Sequence, residues 1–154
     1  MNPTLKYSQR GFGLIEALVA LVVVSVGMIG IAVLYGQGLG ASRTALYRTQ
    51  AVILASDMAD RIRLNRRAGN AYQAGGAGTN RNCAPPGGAT CTPTQMADND
   101  LWAWNAQIDL LLPGADGVVS YAAASPPSYT VSITWQEVGV GAITYQSVIS
   151  VPDL

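Results

Sequence analysis

From Ala17 to Ser42 almost every position is apolar, and ALVALVVVSVGMIGIAVLYGQGLGAS contains no charged residue. A run of this length predicts a transmembrane helix, which needs about 20 apolar residues. From Thr44 the apolar positions become periodic: Tyr47, Ala51, Leu54, Met58 and Ile62 fall on one face of a helix. Arg48, Asp57, Arg61 and Arg63 lie opposite and predict a water-facing side, with Asp57 and Arg61 at the i,i+4 spacing that supports a helix. A single helix from about Phe12 to Arg66 is therefore expected, roughly 80 Å long at 1.5 Å per residue, lipid-compatible first and amphipathic afterwards. Gly27 and Gly30 weaken it inside the span, each by about 1 kcal/mol relative to alanine.

The rhythm then breaks. Ala68 to Pro93 is rich in Gly, Ala, Asn and Pro and reads as loop. A short helix is expected over Asp98 to Leu112, capped by Asp98, with Asp100 near its positive end, a stripe of Leu101, Trp104, Ile108 and Leu111, and a Pro113-Gly114 stop. Strands are expected at Gly117 to Ala123, Tyr129 to Glu137 and Ile143 to Val151, the second alternating Tyr129, Val131, Ile133 and Trp135 against Thr130, Ser132, Thr134 and Gln136. The last two are read as a hairpin through Gly139 and Gly141. A sheet this small needs one face covered, and the amphipathic half of the long helix can cover it. The fold class is thus α+β: a long N-terminal helix packed on a small antiparallel β-sheet head.

Composition sharpens this picture. The chain has 154 residues, 49% hydrophobic but only 12% charged, where an ordinary soluble domain has about a quarter charged. Some apolar surface must face lipid or partners. There is no histidine, which removes Ser-His-Asp and Cys-His catalysis and imidazole metal sites. The carboxylates Asp98, Asp100 and Asp109 read as caps and surface charge rather than as an enzyme's acid and base, and Asp98, Asp100 and Asp116 lack the spacing of an EF-hand calcium site. No metal and no cofactor is expected. The formal net charge is zero, which disfavours nucleic acid as a main ligand. Lys6 and Arg10 precede the apolar run and Arg43 and Arg48 follow it, so charge alone does not orient the span. A secretory signal has an apolar core of only about 7 to 15 residues and a small-residue cleavage site. The run from Ala17 exceeds that length, and Gly36-Gln37-Gly38-Leu39-Gly40 supplies no such site.

Glu16 is the only charge between Arg10 and Arg43, at the membrane end of an apolar helix, where a charge is a functional candidate by default. It can snorkel to the headgroups or meet a partner. Were the chain cut after Gly11, the new amine of Phe12 would lie one turn from Glu16, and a neighbouring chain's Glu16 could neutralise it and set the axial register.

Gly11-Phe12-Gly13-Leu14-Ile15-Glu16 and the apolar helix after it resemble a type IV prepilin N-terminus. The resemblance implies a leader, residues 1–11, removed by a prepilin peptidase on the cytoplasmic side, an N-methylated Phe12, and Glu16 as the fifth mature residue, needed for assembly. Gly13 departs from the usual Ser or Thr. Arg48-Thr49-Gln50-Ala51, Leu54 to Met58, and Asp60 to Arg63 with Asn65 are similar to PilV-type minor pilins, a likeness that covers roughly the first 67 residues. It implies residues 12–42 as transmembrane and assembly helix and residues 43–154 as a periplasmic head. It also implies an inner-membrane protein that enters a pilus or its tip, with other minor pilins, the major pilin and inner-membrane assembly components as partners. A minor pseudopilin of a type II secretion system is built from the same parts, and a DNA-binding or adhesive tip subunit is compatible with the same fold.

Cys83 and Cys91 bracket a short Pro- and Gly-rich loop. If the head is exported they are expected to pair, closing a loop of nine residues and contributing about 2.5 kcal/mol by loop entropy; the other reading is two inert thiols. Arg61, Arg63, Arg66, Arg67 and Arg81 form the one basic cluster, read as a solvated helix end contacting acids, since no aromatics other than the nearby Tyr72 could stack on bases. Trp102 lies off its helix's stripe and is expected at the edge of the head or at a partner contact.

Overall fold

The computed structural model describes residues 13–73, 76–83 and 90–151. The leader and the Gly11-Phe12 junction lie outside the described residues. Helix α1 covers Leu14–Leu64, close to the expected span. By its contacts the chain forms two units, Met1–Ser42 and Arg43–Leu154. In the first, α1 is exposed throughout, with Leu18, Val22, Ile29 and Leu34 among its bare side chains. It is the one helix among the described residues that is long and apolar enough to cross a membrane. Ser25 and Ser42 satisfy their hydroxyls on the helix itself, donating to the Leu21 and Gly38 carbonyls, the i−4 back-bond open to any helical Ser or Thr.

In the second unit α1 buries Ala51, Leu54, Ala55, Met58, Ala59 and Ile62, with Tyr47 partly buried at the edge. This is the expected stripe, widened by two alanines whose small side chains admit close neighbours. The chain does not then become loop. A 3₁₀ segment, η1, runs Arg66–Gln73, against the expectation for Ala68 onward. Ala68 and Tyr72 turn inward on it and are buried, and Gly69, at φ 53° and ψ −128°, makes the kink that permits this. The Tyr129 hydroxyl donates to the Gly69 carbonyl at 3.0 Å, holding the kink from a strand 60 residues away.

Helix α2 spans Pro93–Leu111 and starts five residues before the expected Asp98. Thr92 is the cap: its hydroxyl accepts from the Gln95 N–H, and the Gln95 side chain accepts from the Thr92 N–H. Pro93 at the first position needs no N–H partner. Asp98 is therefore interior. Leu101, Trp104 and Ile108 are buried as expected, but Leu111 is half-exposed and Leu112 is buried in its place. Leu112 has already left the helix at φ −124° and ψ 131°, which swings its side chain inward.

Strands β1 (Asp116–Ala122), β2 (Ser128–Glu137) and β3 (Gly141–Ser150) form an antiparallel meander in the order β1-β2-β3. The registers run Asp116↔Thr134 to Ala122↔Ser128 and Ser128↔Ser150 to Glu137↔Gly141. Tyr129, Val131, Ile133 and Trp135 face inward as the alternation requires. Gly117 lets β1 reach α2: a Cβ there would come within 2.5 Å of Trp104 Cζ3 and Ile108 Cδ1. At the middle of the core Trp104 donates its indole N–H to the Leu54 carbonyl at 2.8 Å.

Candidate assembly site

Glu16 sits in the first turn of α1, where its N–H bonds the Gly13 carbonyl at 3.0 Å. An acid there complements the positive helix end. Its side chain is exposed and has no hydrogen bond or ion pair among the described residues. Gly11 and Phe12 lie outside the described residues, so the pairing geometry expected for them is not defined. The helix offers Glu16 as a single carboxylate on an apolar rod, able to accept charge-assisted hydrogen bonds from a cation brought by another chain.

Many of the head's charges are paired within it. Cys83 and Cys91 form a disulfide, with their Cα atoms 5.8 Å apart. It ties the segment before it to the residue preceding the α2 cap. That segment lies tight on α2: the Thr79 N–H bonds the Asp98 carbonyl at 3.2 Å, and Gly78, at φ +67°, leaves no room for a Cβ beside Asp98 and Trp102 backbone atoms. Arg81 follows, bonding Asp98 Oδ2 at 2.7 Å through Nε and the Asn99 side chain through its N–H.

The basic cluster is only partly the solvated helix end expected. Arg63 pairs with Asp60 at 2.7 Å in water, and Arg66 and Arg67 are exposed. Arg61 is instead drawn into the head, its Nε bonding Asp57 at 2.8 Å and its Nη1 bonding Asp100 at 3.2 Å. Burial works against its charge, but the hydrogen bonds and charges of Asp57 and then Asp100 outweigh it and hold the guanidinium above its ordinary value. Asp100 also accepts from the Tyr72 hydroxyl at 2.7 Å, and Asn65 donates to the same hydroxyl and to the Pro93 carbonyl. Tyr72 is thus a core residue joining α1, η1 and α2, not a base-stacking ring. Asp98 and Asp100 are consumed by these pairings, and no group of three metal-binding side chains occurs among the described residues.

Burial first, then the bond to Asp100, pushes the Tyr72 phenol well above its usual range. A phenol whose folded pKa is raised adds stability that is full below the unfolded value of about 10 and is lost as pH climbs past it. Tyr72→Phe is expected to cost about 1–2 kcal/mol at neutral pH, because Asp100 loses a buried donor. It should also flatten the fall in stability above about pH 10, measured by urea denaturation at stepped pH; an unchanged alkaline slope would exclude Tyr72 as its source.

A further buried charge escaped the sequence reading. Glu137, last on the inner face of β2, accepts from the Trp135 indole at 3.2 Å and stands 3.6 Å from the Arg48 Nε. Trp102, by contrast, lies 41% exposed at the edge of α2.

Residues 34–102 match a family of type IV pilins, the Tt1218-like pilins, and residues 6–32 match the prokaryotic N-terminal methylation motif. No curated protein and no solved structure gives a match. The methylation motif and the apolar helix point to membrane anchoring, and the pilin match runs from that helix through η1 into α2. With the α+β pilin-like architecture of one long helix and a three-stranded antiparallel sheet, these matches support a type IV prepilin.

Proposed function

We propose that this chain is a PilV-type minor pilin of a type IV pilus, joining or priming the filament through its N-terminal helix. The observation that carries the reading is Glu16, the sole charge from Gly11 to Ser42, exposed and unpaired among the described residues of a helix that buries nothing before the head. A prepilin peptidase removes residues 1–11, Phe12 becomes the methylated N-terminus, residues 12–42 anchor the subunit in the inner membrane, and the head, residues 43–154, stands in the periplasm. The disulfide supports an oxidising location for the head. Assembly joins it to other minor pilins and the major pilin.

Processing is the direct test. Protein taken from membranes or filaments should begin at Phe12 and carry one added methyl on its amine, read by N-terminal mass spectrometry. An intact leader in assembled material, or a terminus near Gly40, would reject the prepilin reading. Deleting the whole chain should lower surface filament number; unchanged piliation with impaired protein secretion would assign it to a type II secretion system.

A further inference from the structure

The first turns of α2 are held by a strap of chain that runs back beside them and is fastened at both ends. One end is tied to the second and third turns of the helix: the Thr79 N–H bonds the Asp98 carbonyl, Gly78 crowds the backbone of Asp98 and Trp102, and Arg81 reaches Asp98 and Asn99. At the other end Asn82 takes φ 53°, a left-handed conformation that asparagine tolerates better than most residues, and its N–H bonds the Asn80 side chain at 2.9 Å. That turn sends Cys83 inward, with its Sγ 3.9 Å from the Gln95 carbonyl oxygen. The bridge to Cys91 then fastens this end directly before Thr92, the cap of the helix.

The clasped turns support more than themselves. Cys91, Pro93 and Met96 line one cleft of about 390 Å³ with Arg61 and Asn65, and Asn65 donates to the Pro93 carbonyl at 2.8 Å. Asp100, at the far end of the clasped stretch, binds Tyr72 and Arg61. The junction of α1, η1 and α2 therefore depends on these turns staying seated. The sheet does not, because its ladders run between its own strands and it meets α2 farther along, where Gly117 lies against Trp104 and Ile108.

We propose that the Cys83–Cys91 bridge is a redox-dependent clasp, which locks the first turns of α2 onto the end of α1 only once the head stands in an oxidising compartment and leaves the sheet unaffected. The proposal rests on the exported-head reading above. The step is an exchange with a protein disulfide: one cysteine thiolate attacks it, the second displaces the mixed disulfide, and the oxidant leaves as a dithiol carrying the two electrons and two protons that the cysteines lose. Opening the bridge restores the entropy that closing this short loop removes, which favours release of the clasped turns by roughly 80-fold at most.

The test is amide hydrogen exchange, read by mass spectrometry on the full chain in detergent, before and after a phosphine reduces the folded protein at neutral pH. Amides from Met96 to Leu101 should exchange roughly 20- to 80-fold faster in the reduced chain, while those from Val131 to Trp135 in β2 change less than about twofold. Reoxidation should restore the slow rates. No acceleration from Met96 to Leu101 overturns the clasp. Equal acceleration in β2 overturns it too, because the bridge would then support the whole head rather than one helix start. A second measurement separates this from the exported reading: cells are quenched in acid and free thiols of the membrane-inserted chain are alkylated. A bridge found closed there, with no local difference in exchange, removes the clasp and leaves the exported reading intact, whereas free thiols there overturn both.

Discussion

Glu16→Ala is expected to leave insertion and leader cleavage intact and to remove the subunit from its assembly. An unpaired carboxylate near a bilayer costs about 2–3 kcal/mol, and a partner cation that neutralises it returns that energy as affinity and as register, which sliding apolar surfaces do not define. Removing it should weaken association roughly 30- to 150-fold at 1.4 kcal/mol per tenfold. The helix itself loses little, since Glu16 lies in the first turn and alanine is the better helix former. Co-precipitation with other minor pilins should therefore fall toward background while the amount of processed protein in the membrane stays constant, and filaments counted by electron microscopy should decline. Full co-precipitation together with normal piliation would remove Glu16 from the docking role.

Trp104→Ala should be the most damaging single change in the head. The side chain is wholly buried, its indole N–H serves the Leu54 carbonyl, and its ring lies where a Cβ on Gly117 would stand. It thus touches α1 and β1 from α2. Truncating a buried tryptophan costs about 3–5 kcal/mol, a large share of the 5–15 kcal/mol that holds a domain together. Urea denaturation of the full chain in detergent, followed by near-ultraviolet circular dichroism, should show an unfolding free energy lowered by that amount. Trp102→Ala, two residues away and exposed, should stay within about 1 kcal/mol of the parent. Equal losses at the two positions would mean that the core is not organised around Trp104.

The contrast between those two tryptophans was legible from spacing alone, because Trp104 shares a helical face with Leu101 and Ile108 and Trp102 does not. The same holds for Ala51, Leu54, Met58 and Ile62 on α1 and for the alternation in β2, where one physical period acts over many residues. The true start of α2 was also written in the chain, in Thr92-Pro93-Thr94-Gln95, but the surrounding glycine- and proline-rich composition masks it. Glu137 could have been placed inward by extending the β2 alternation one step beyond Trp135. The η1 segment could not be found this way, since eight residues carry no usable period and Tyr72 is held by Asp100 and the Gly69 kink by Tyr129. Nor could spacing show that Arg61 leaves the solvent face, because its pull comes from Asp100, 39 residues on. In the N-terminal region, Glu16 was legible as an isolated charge, and the pairing proposed for it rests on that isolation and on the Gly-Phe-x-x-x-Glu resemblance rather than on any contact.

The bond between Trp104 and Leu54 also bears on how the chain is made. The two residues are 50 apart in the chain, whereas each strand of the meander pairs with the one next to it in sequence. A chain made from its N-terminus therefore presents Ala51 to Ile62 long before the indole and the strands that will cover them exist. Contacts within the meander are local whereas α1 meets α2 only across the residues between them, so the sheet is expected to need less loop closure than the covering of the helix. Until that covering is made, the stripe that becomes the core is indistinguishable, to any surface it meets, from the apolar face of a helix seeking a partner.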